Sequence, residues 1–217
     1  MSLDFSAVVP YLPLLLKGTV ATVEASALSS LLGAALGLLL GVGLVVPLRW
    51  MRLLCWCYVY FVRGTPLLVQ LFIIYFGLPS FGVDLGAFAS GVLGLGLNSA
   101  AYVAEIVRAG IEAIPRGQIE ACRVLGLSYC QTMRFVVLPQ ALRNMLPAFA
   151  NEFATVLKQS SLLSSLAITE LTMAGQQVRS VTFASFETFA VVALIYLALT
   201  SAIGIALRTL ERRWSVS

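Results

Sequence analysis

The sequence predicts an all-α membrane protein with five transmembrane helices in a single domain, residues 1–217. Three observations carry this reading. First, 59% of the residues are hydrophobic and only 11% are charged, with a mean hydropathy of +0.94. A soluble domain carries about a quarter charged residues, so this chain has too few to cover a water-facing surface. Second, the apolar residues fall in runs close to the roughly 20 residues that a helix needs to cross a bilayer core. Third, the basic residues that make up the net charge of +4 stand between those runs. That is the partition expected of membrane loops, not of a nucleic-acid patch, so membrane lipid is an expected partner and nucleic acid is not.

The first apolar run covers about 19–47. The start, Met1-Ser-Leu-Asp4-Phe, lacks the basic region of a cleaved signal peptide, so this run reads as an uncleaved span. Gly33, Gly37 and Gly41 recur at every fourth residue in it. They share one helix face, where a second helix can approach closely. Arg49 and Arg52 follow, and then an apolar, aromatic segment, Met51 to Val62, that reads as partly interfacial with Arg63 at the headgroups. Gly64 and Pro66 interrupt helical order. A second span covers about 66–78, or 52–78 where the preceding segment joins it, and Pro79, Gly82 and Asp84 form a loop. The third span covers about 85–107. A polar stretch, 108–140, carries Arg108, Arg116, Arg123 and Arg134. The fourth span covers about 141–166, a loop holds Glu170, Gln176, Gln177 and Arg179, and the fifth span covers about 186–207.

The arginines orient these spans. Arg49 and Arg52, the 108–134 set, and Arg208, Arg212 and Arg213 all fall on one side. The positive side is cytoplasmic, which puts the N-terminus outside and the C-terminus in the cytoplasm. Cys55, Cys57, Cys122 and Cys130 then lie on or near the cytoplasmic side, where disulfides are rare. The chain has no histidine to complete a metal site with the Cys-x-Cys pair. The thiols read as buried, small apolar side chains, with no metal ligation expected.

The 108–140 stretch reads as a docking element. Ile114-Pro115 ends the third helix, so Gln118 to Leu125 can form a short separate helix closed by Gly126. Ala121 and Cys122 are small enough for close approach by a partner, and Glu120 and Arg123 offer charge pairing at its rim. The full motif is Arg116-Gly-Gln-Ile-Glu120-Ala121-Cys122-Arg123-Val-Leu-Gly126, then Val136-Val-Leu138-Pro139. It resembles the Glu-Ala-Ala loop of ABC-importer permeases, with Cys122 in place of the second alanine and Val136 in place of an isoleucine. Arg63-Gly-Thr-Pro-Leu-Leu-Val-Gln70, Leu97-Asn98-Ser-Ala-Ala-Tyr102-Val-Ala-Glu105, Leu157-Lys158-Gln-Ser-Ser-Leu162 and Leu-Glu211-Arg-Arg-Trp214 are similar to segments of the histidine, glutamine, arginine and opine permeases.

The resemblance covers about Gly18 to Trp214 and implies a polar amino-acid ABC importer permease of the type I fold. It also implies two ATP-binding subunits, a second permease that is identical or related, and an extracytoplasmic amino-acid-binding protein. The expected location is the bacterial cytoplasmic (inner) membrane. In such proteins the loop is a coupling helix seated on the ATPase, a role that would fall here on Glu120, Ala121, Cys122, Arg123, Gly126, Leu138 and Pro139. The chain carries no G-x-x-x-x-G-K-[ST] phosphate loop. ATP is therefore expected on a separate subunit, with no cofactor and no catalysis in this chain.

Polar residues inside the spans mark a candidate pathway, because such groups are costly in lipid and face the bundle interior. Glu152, Thr155 and Gln159 recur at intervals of three and four, as do Asn98, Tyr102 and Glu105, so each set makes one helix face. Facing each other, the two stripes could line a cavity for a zwitterion, with Glu152 meeting an ammonium group and Tyr102, Asn98, Gln159 and Gln70 supplying neutral partners. A structural alternative is that Glu105 pairs with Arg108 and Asn98 joins helices. Similar permeases often carry an acid directly after the lysine that corresponds to Lys158, where this chain has Gln159. Arginine, histidine, glutamine and an opine all stay compatible. A self-sufficient carrier or channel is the rival reading. Carriers usually show internal repeats, and none is evident here.

Overall fold

A computed structural model describes residues 4–215, except the side chains of 207, 208 and 210–215. The C-terminal motif around Glu211 and Trp214, and the side chains of Arg208, Arg212 and Arg213, lie outside the described residues. All regular structure among the described residues is helical.

Helix α1 runs Leu12–Val45, earlier and longer than the expected start near 19. Pro13 sits in its first turn, where a missing N–H costs nothing, so a residue that reads as a breaker starts the helix instead. At 34 residues α1 is about 50 Å long, more than a hydrocarbon core requires. Helix α4, Gly86–Glu112, runs parallel to it. Gly33, Gly37 and Gly41 of α1 face Ser99, Val103 and Val107 of α4 in matched steps of four. A Cβ added at Gly33 would stand 2.8 Å from the Ser99 Cβ, so only glycine permits this approach.

The second apolar region is two helices, α2 (Arg49–Gly64) and α3 (Leu67–Gly77), bent by 105°. At 11 residues α3 is too short to cross alone, and the two together are long and apolar enough for one broken span or a re-entrant loop. Pro66 supplies no N–H, and the break leaves carbonyls at the end of α2 without helical partners. Gln70 answers them. Its Nε2 donates to the Val62 carbonyl at 2.7 Å, the Thr65 carbonyl at 3.1 Å and Thr65 Oγ1 at 2.8 Å.

The 108–140 stretch is mostly helical. α5 (Arg116–Val124) ends at Gly126, whose φ of +76° is the left-handed cap expected of glycine. α6 (Tyr129–Thr132) opens with a Ser128–Gln131 capping box. A π turn over Met133–Val137 leads into α7 (Leu138–Gln159). Among the described residues α1, α4 and α9 (Ser185–Ser215) hold segments long and apolar enough to span alone. α7 is long enough, but Arg143, Glu152 and Lys158 make it more polar. From Ser160 to Leu166 the expected fourth span tightens to a 3-10 helix, in which Ser160, Ser161 and Ser164 donate to carbonyls three residues back.

The expected loop around Glu170 is instead a helix, α8 (Leu171–Thr182). Leu171, Ala174, Gly175 and Val178 make its buried stripe, packed with Leu15 of α1 and Val192 of α9. Glu170 is fully buried as its N-cap. The carboxylate accepts from the Thr172 and Met173 N–H groups at 2.8 Å each and from the Tyr196 hydroxyl at 2.9 Å. The cysteines divide: Cys55 and Cys122 are buried, whereas Cys57 and Cys130 are exposed, against the expectation that all four are buried. Cys57 lies on the side of α2 away from Cys55, Val59 and Val62, which face the core.

Candidate functional site

Three elements meet around a cavity of about 430 Å³: the end of α2, the C-terminal half of α4, and α7. Arg63, Tyr102, Glu105, Asn144, Met145 and Glu152 are among its lining. Glu152 also borders an apolar cavity of about 300 Å³ against α1, where Ser30, Ala34 and Leu38 stand. A larger cavity of about 1280 Å³ lies between α2, α4, α5 and the π turn. It is lined by Arg52, Arg63, Arg108 and Arg116 with Trp56, Tyr60 and Tyr129. Arg63, Tyr102 and Glu105 border both the 430 Å³ and the 1280 Å³ cavities, so they stand between the two.

Glu152 is half-buried, and Ser99 donates to its Oε1 at 2.8 Å. Among the described residues the ion pairs include neither Glu152 nor Lys158, which is exposed. Glu105 is the opposite case. Arg108 grips it through Nε at 3.2 Å and Nη2 at 2.8 Å, and reaches Glu112 at 2.6 Å. Arg63 Nη1 stands 3.3 Å from the same Glu105 oxygen, and its guanidinium lies 5.4 Å from the centre of the Tyr102 ring.

The site residues expected from sequence separate into groups. Tyr102 and Glu152 share the 430 Å³ cavity. Asn98 and Gln70 are bonded to each other, Nδ2 to Oε1 at 3.0 Å, and both are buried. The Thr155 hydroxyl donates to the Asn151 carbonyl of its own helix at 2.8 Å. Gln159 is half-buried at the end of α7. Arg63, read as a headgroup anchor, pairs with Glu105 of α4, on which α2 packs. Neither Arg63 nor Ser99 belongs to the pathway that the sequence predicts. Ser99 is a polar residue inside the third span, next to Asn98, which is the signal it carries; the Arg63–Glu105 pairing leaves none in the sequence.

On α5, Glu120, Ala121 and Arg123 are exposed, as are Gly126, Leu138 and Pro139. Cys122 is buried, so its small size serves packing within the chain and not approach by a partner. The helix also exposes Val124 and Leu125, at 88% and 77%. The Gln140 Nε2 donates to Gln118 Oε1 at 2.7 Å and to the Val136 carbonyl at 2.8 Å, tying α5 to the first turn of α7. Among the described residues, no three histidine, cysteine, aspartate or glutamate side chains come together as a metal site requires.

Residues 33–216 match the family described as binding-protein-dependent transport system inner membrane component. The chain is 37% identical over 214 residues to the arginine transport system permease protein ArtQ of Bacillus subtilis (strain 168), covering 98% of each chain. It is 37% identical over 218 residues to the glutamine transport system permease protein GlnP of Escherichia coli (strain K12), covering 100% of each. It is 41% identical over 185 residues to the nopaline transport system permease protein NocM of Agrobacterium fabrum (strain C58 / ATCC 33970), covering 77% of each. Among solved structures, an amino acid ABC transporter crystallised with histidines has a chain that superposes with a TM-score of 0.92 at 41% identity, covering 98% of this chain and 100% of that one. A chain of the MetNI methionine ABC transporter in an inward-facing conformation superposes with a TM-score of 0.80 at 23% identity, covering 94% and 98%, which shows a shared fold.

Proposed function

The chain belongs to the family of binding-protein-dependent transport system inner membrane components, and from that premise we propose that it is the permease subunit of an ATP-driven importer of polar amino acids. The relatives named for arginine, glutamine and nopaline transport, at near full length for the first two, support an amino acid as cargo. In this reading the chain performs no catalysis. A second permease, identical or related, completes the membrane part, one ATP-binding subunit seats on α5 of this chain and another on the second permease, and an extracytoplasmic binding protein delivers the solute. The arginine asymmetry supports an N-terminus outside and a C-terminus in the cytoplasm.

One observation carries the solute site: the half-buried Glu152 carboxylate has no cation in an ion pair among the described residues, and it borders a cavity of about 430 Å³. A carboxylate within a span costs about 2.5–3.5 kcal/mol unless something compensates it. An ammonium group of the passing solute supplies that compensation, with Tyr102 beside it. Thr155 and Gln159 continue the polar face of α7 along the route. Gln70 and Asn98 act here through each other, holding the α2–α3 break against α4. ATP-driven closure of the two ATPases would draw the α5 helices together. The Gln118–Gln140 bond then passes that movement to α7, and through α7 to Glu152.

The test is reconstitution. Proteoliposomes holding this permease with its ATPase and binding protein should take up labelled arginine, glutamine, histidine or an opine only when ATP is supplied on the face that carries the ATPase. ATP-independent uptake by the permease alone would turn the assignment to a self-sufficient carrier.

A further inference from the structure

The 1280 Å³ cavity carries a surplus of positive charge. Arg52, Arg63, Arg108 and Arg116 line it together with two carboxylates, Glu105 and Glu112. Arg63 and Arg108 are engaged by those carboxylates, in ion pairs of 2.6 to 3.3 Å. Arg52 and Arg116 stand in no ion pair among the described residues, and both are exposed. Arg52 donates through Nη2 to the Val46 carbonyl at 3.2 Å, which uses one of the five N–H donors of its guanidinium. The rest of the lining has a second character. Arg52, Trp56 and Tyr60 recur at every fourth residue, so they form one stripe of α2 along the cavity. Trp56 and Tyr60 are stacked, with ring centres 5.0 Å apart, and Tyr129 joins them from α6. Leu44, Val59, Ile114 and Val137 make an apolar wall beside them. Arginine, tryptophan and tyrosine next to an apolar wall are the chemistry of a membrane interface, and the arginine asymmetry places it on the cytoplasmic side.

We propose that this cavity is a binding site for an anionic phospholipid of the cytoplasmic leaflet, with Arg52 and Arg116 receiving the phosphate of its headgroup. A soluble anion would use the arginines and leave the apolar wall in water, whereas a lipid uses both. The volume also exceeds the roughly 300–1,000 Å³ of a small-molecule pocket. A zwitterionic lipid carries the same phosphate with an ammonium group beside it, so two arginines outside ion pairs favour the anionic lipid. Arg52 belongs to α2 and Arg116 opens α5, so a lipid held by both ties the short helix to the membrane. The proposal depends on the cytoplasmic placement of α5 and is independent of the solute cavity at Glu152.

The experiment uses the purified permease–ATPase complex in micelles of a neutral detergent. Phosphatidylglycerol and phosphatidylcholine with the same acyl chains are the probes, and the lipid retained on the isolated complex is counted. The wild type should prefer phosphatidylglycerol. Arg52→Gln and Arg116→Gln should each lower that preference about fivefold, the contribution of one basic side chain beside an anionic lipid. Arg52→Lys with Arg116→Lys keeps the charges and should keep most of the preference. Arg49→Gln is the control, because Arg49 opens α2 and is exposed but does not line the cavity. An equal loss with Arg49→Gln would show diffuse surface attraction and overturn the site. Millimolar inorganic phosphate should leave the lipid in place, and its displacement would turn the site into one for a soluble anion. Loss of the ATPase from Arg116→Gln in lipid-free detergent would assign that arginine to a contact between subunits and overturn its role here. Equal retention of the two lipids by the wild type would overturn the proposal outright.

Discussion

Ser99 donates its hydroxyl to Glu152 at 2.8 Å, and the same serine fills the space that Gly33 leaves on α1. The glycine face of α1 and the carboxylate of the cavity are thus joined through one side chain. Close packing of α1 on α4 sets where Ser99 stands, and Ser99 sets where one oxygen of Glu152 points.

Gly33→Ala should therefore act twice. The new Cβ would meet Ser99 Cβ and Oγ at 2.8 and 2.9 Å, so α4 must shift or Ser99 must turn. Overpacking of this kind costs about 1–3 kcal/mol. The thermal midpoint of the purified complex should fall, and uptake should fall further than the loss of folded complex explains. Gly64→Ala is the control, since nothing stands within 4 Å of its added Cβ.

The surface of α5 should carry assembly with the ATPase. Glu120→Lys combined with Gly126→Trp should prevent co-purification of the ATPase or separate ATP hydrolysis from uptake, while the chain still inserts. Gly126 sits at φ +76°, so any other residue also strains the cap. Val124→Asp with Leu125→Asp should give the same phenotype while leaving Gly126 in place, because these apolar groups are the most exposed at the end of α5. Normal co-purification and uptake in both variants would remove the docking role.

Topology is open to direct labelling. Cys57 and Cys130 are exposed and need replacement first. In that background, a cysteine at Ser80, which is exposed in the turn after α3, should react with a membrane-impermeant thiol reagent in intact cells. A cysteine at Ser215 should react only after lysis. The reverse pattern would invert the orientation and put α5 on the wrong side for an ATPase.

Much of this architecture was legible in the sequence because it rests on local chemistry. Pro115 and Gly126 delimit α5, Gly64 and Pro66 break α2 from α3, and Gly33, Gly37 and Gly41 fix the α1–α4 seam. What escaped depended on distance and direction. Glu170, Gln176 and Arg179 read as a loop because polar residues outnumber apolar ones there, yet Leu171, Ala174 and Val178 stand three and four residues apart on one buried face. Arg63 read as a surface anchor because its pairing with Glu105 of α4 is a long-range contact with no trace in composition. Gln70 and Asn98 are polar and internal, as a pathway demands, but their partners are each other and the broken end of α2, which only the fold reveals.

Two carboxylates outside the ion pairs of the described residues offer the sharpest contrast, Glu152 and Glu170. Glu170 is fully buried and accepts two backbone N–H groups and the Tyr196 hydroxyl, with Thr22 of α1 a further 3.4 Å contact. Glu152 has a single donor, Ser99, and open volume beside it. Replacing carboxylate by amide keeps shape but turns one acceptor oxygen into a donor. At Glu170 that donor would face other donors on any orientation of the amide, because both oxygens are engaged. The cost is that of unsatisfied buried groups, about 1–3 kcal/mol. Glu170→Gln should then lower the thermal midpoint of the complex and its yield, with α8 loosened from α1 and α9. Glu152→Gln can turn its oxygen toward Ser99 and its NH₂ toward the cavity, so assembly should survive. What it loses is the charge that meets an ammonium group. Uptake should drop by about tenfold or more, the scale of a hydrogen bond to a charged partner. Thermal unfolding and uptake measured on both variants decide between the roles. A stable Glu152→Gln complex with unchanged uptake would remove Glu152 from the solute path, and a fully stable Glu170→Gln complex would remove Glu170 as the cap that locks α8 in place.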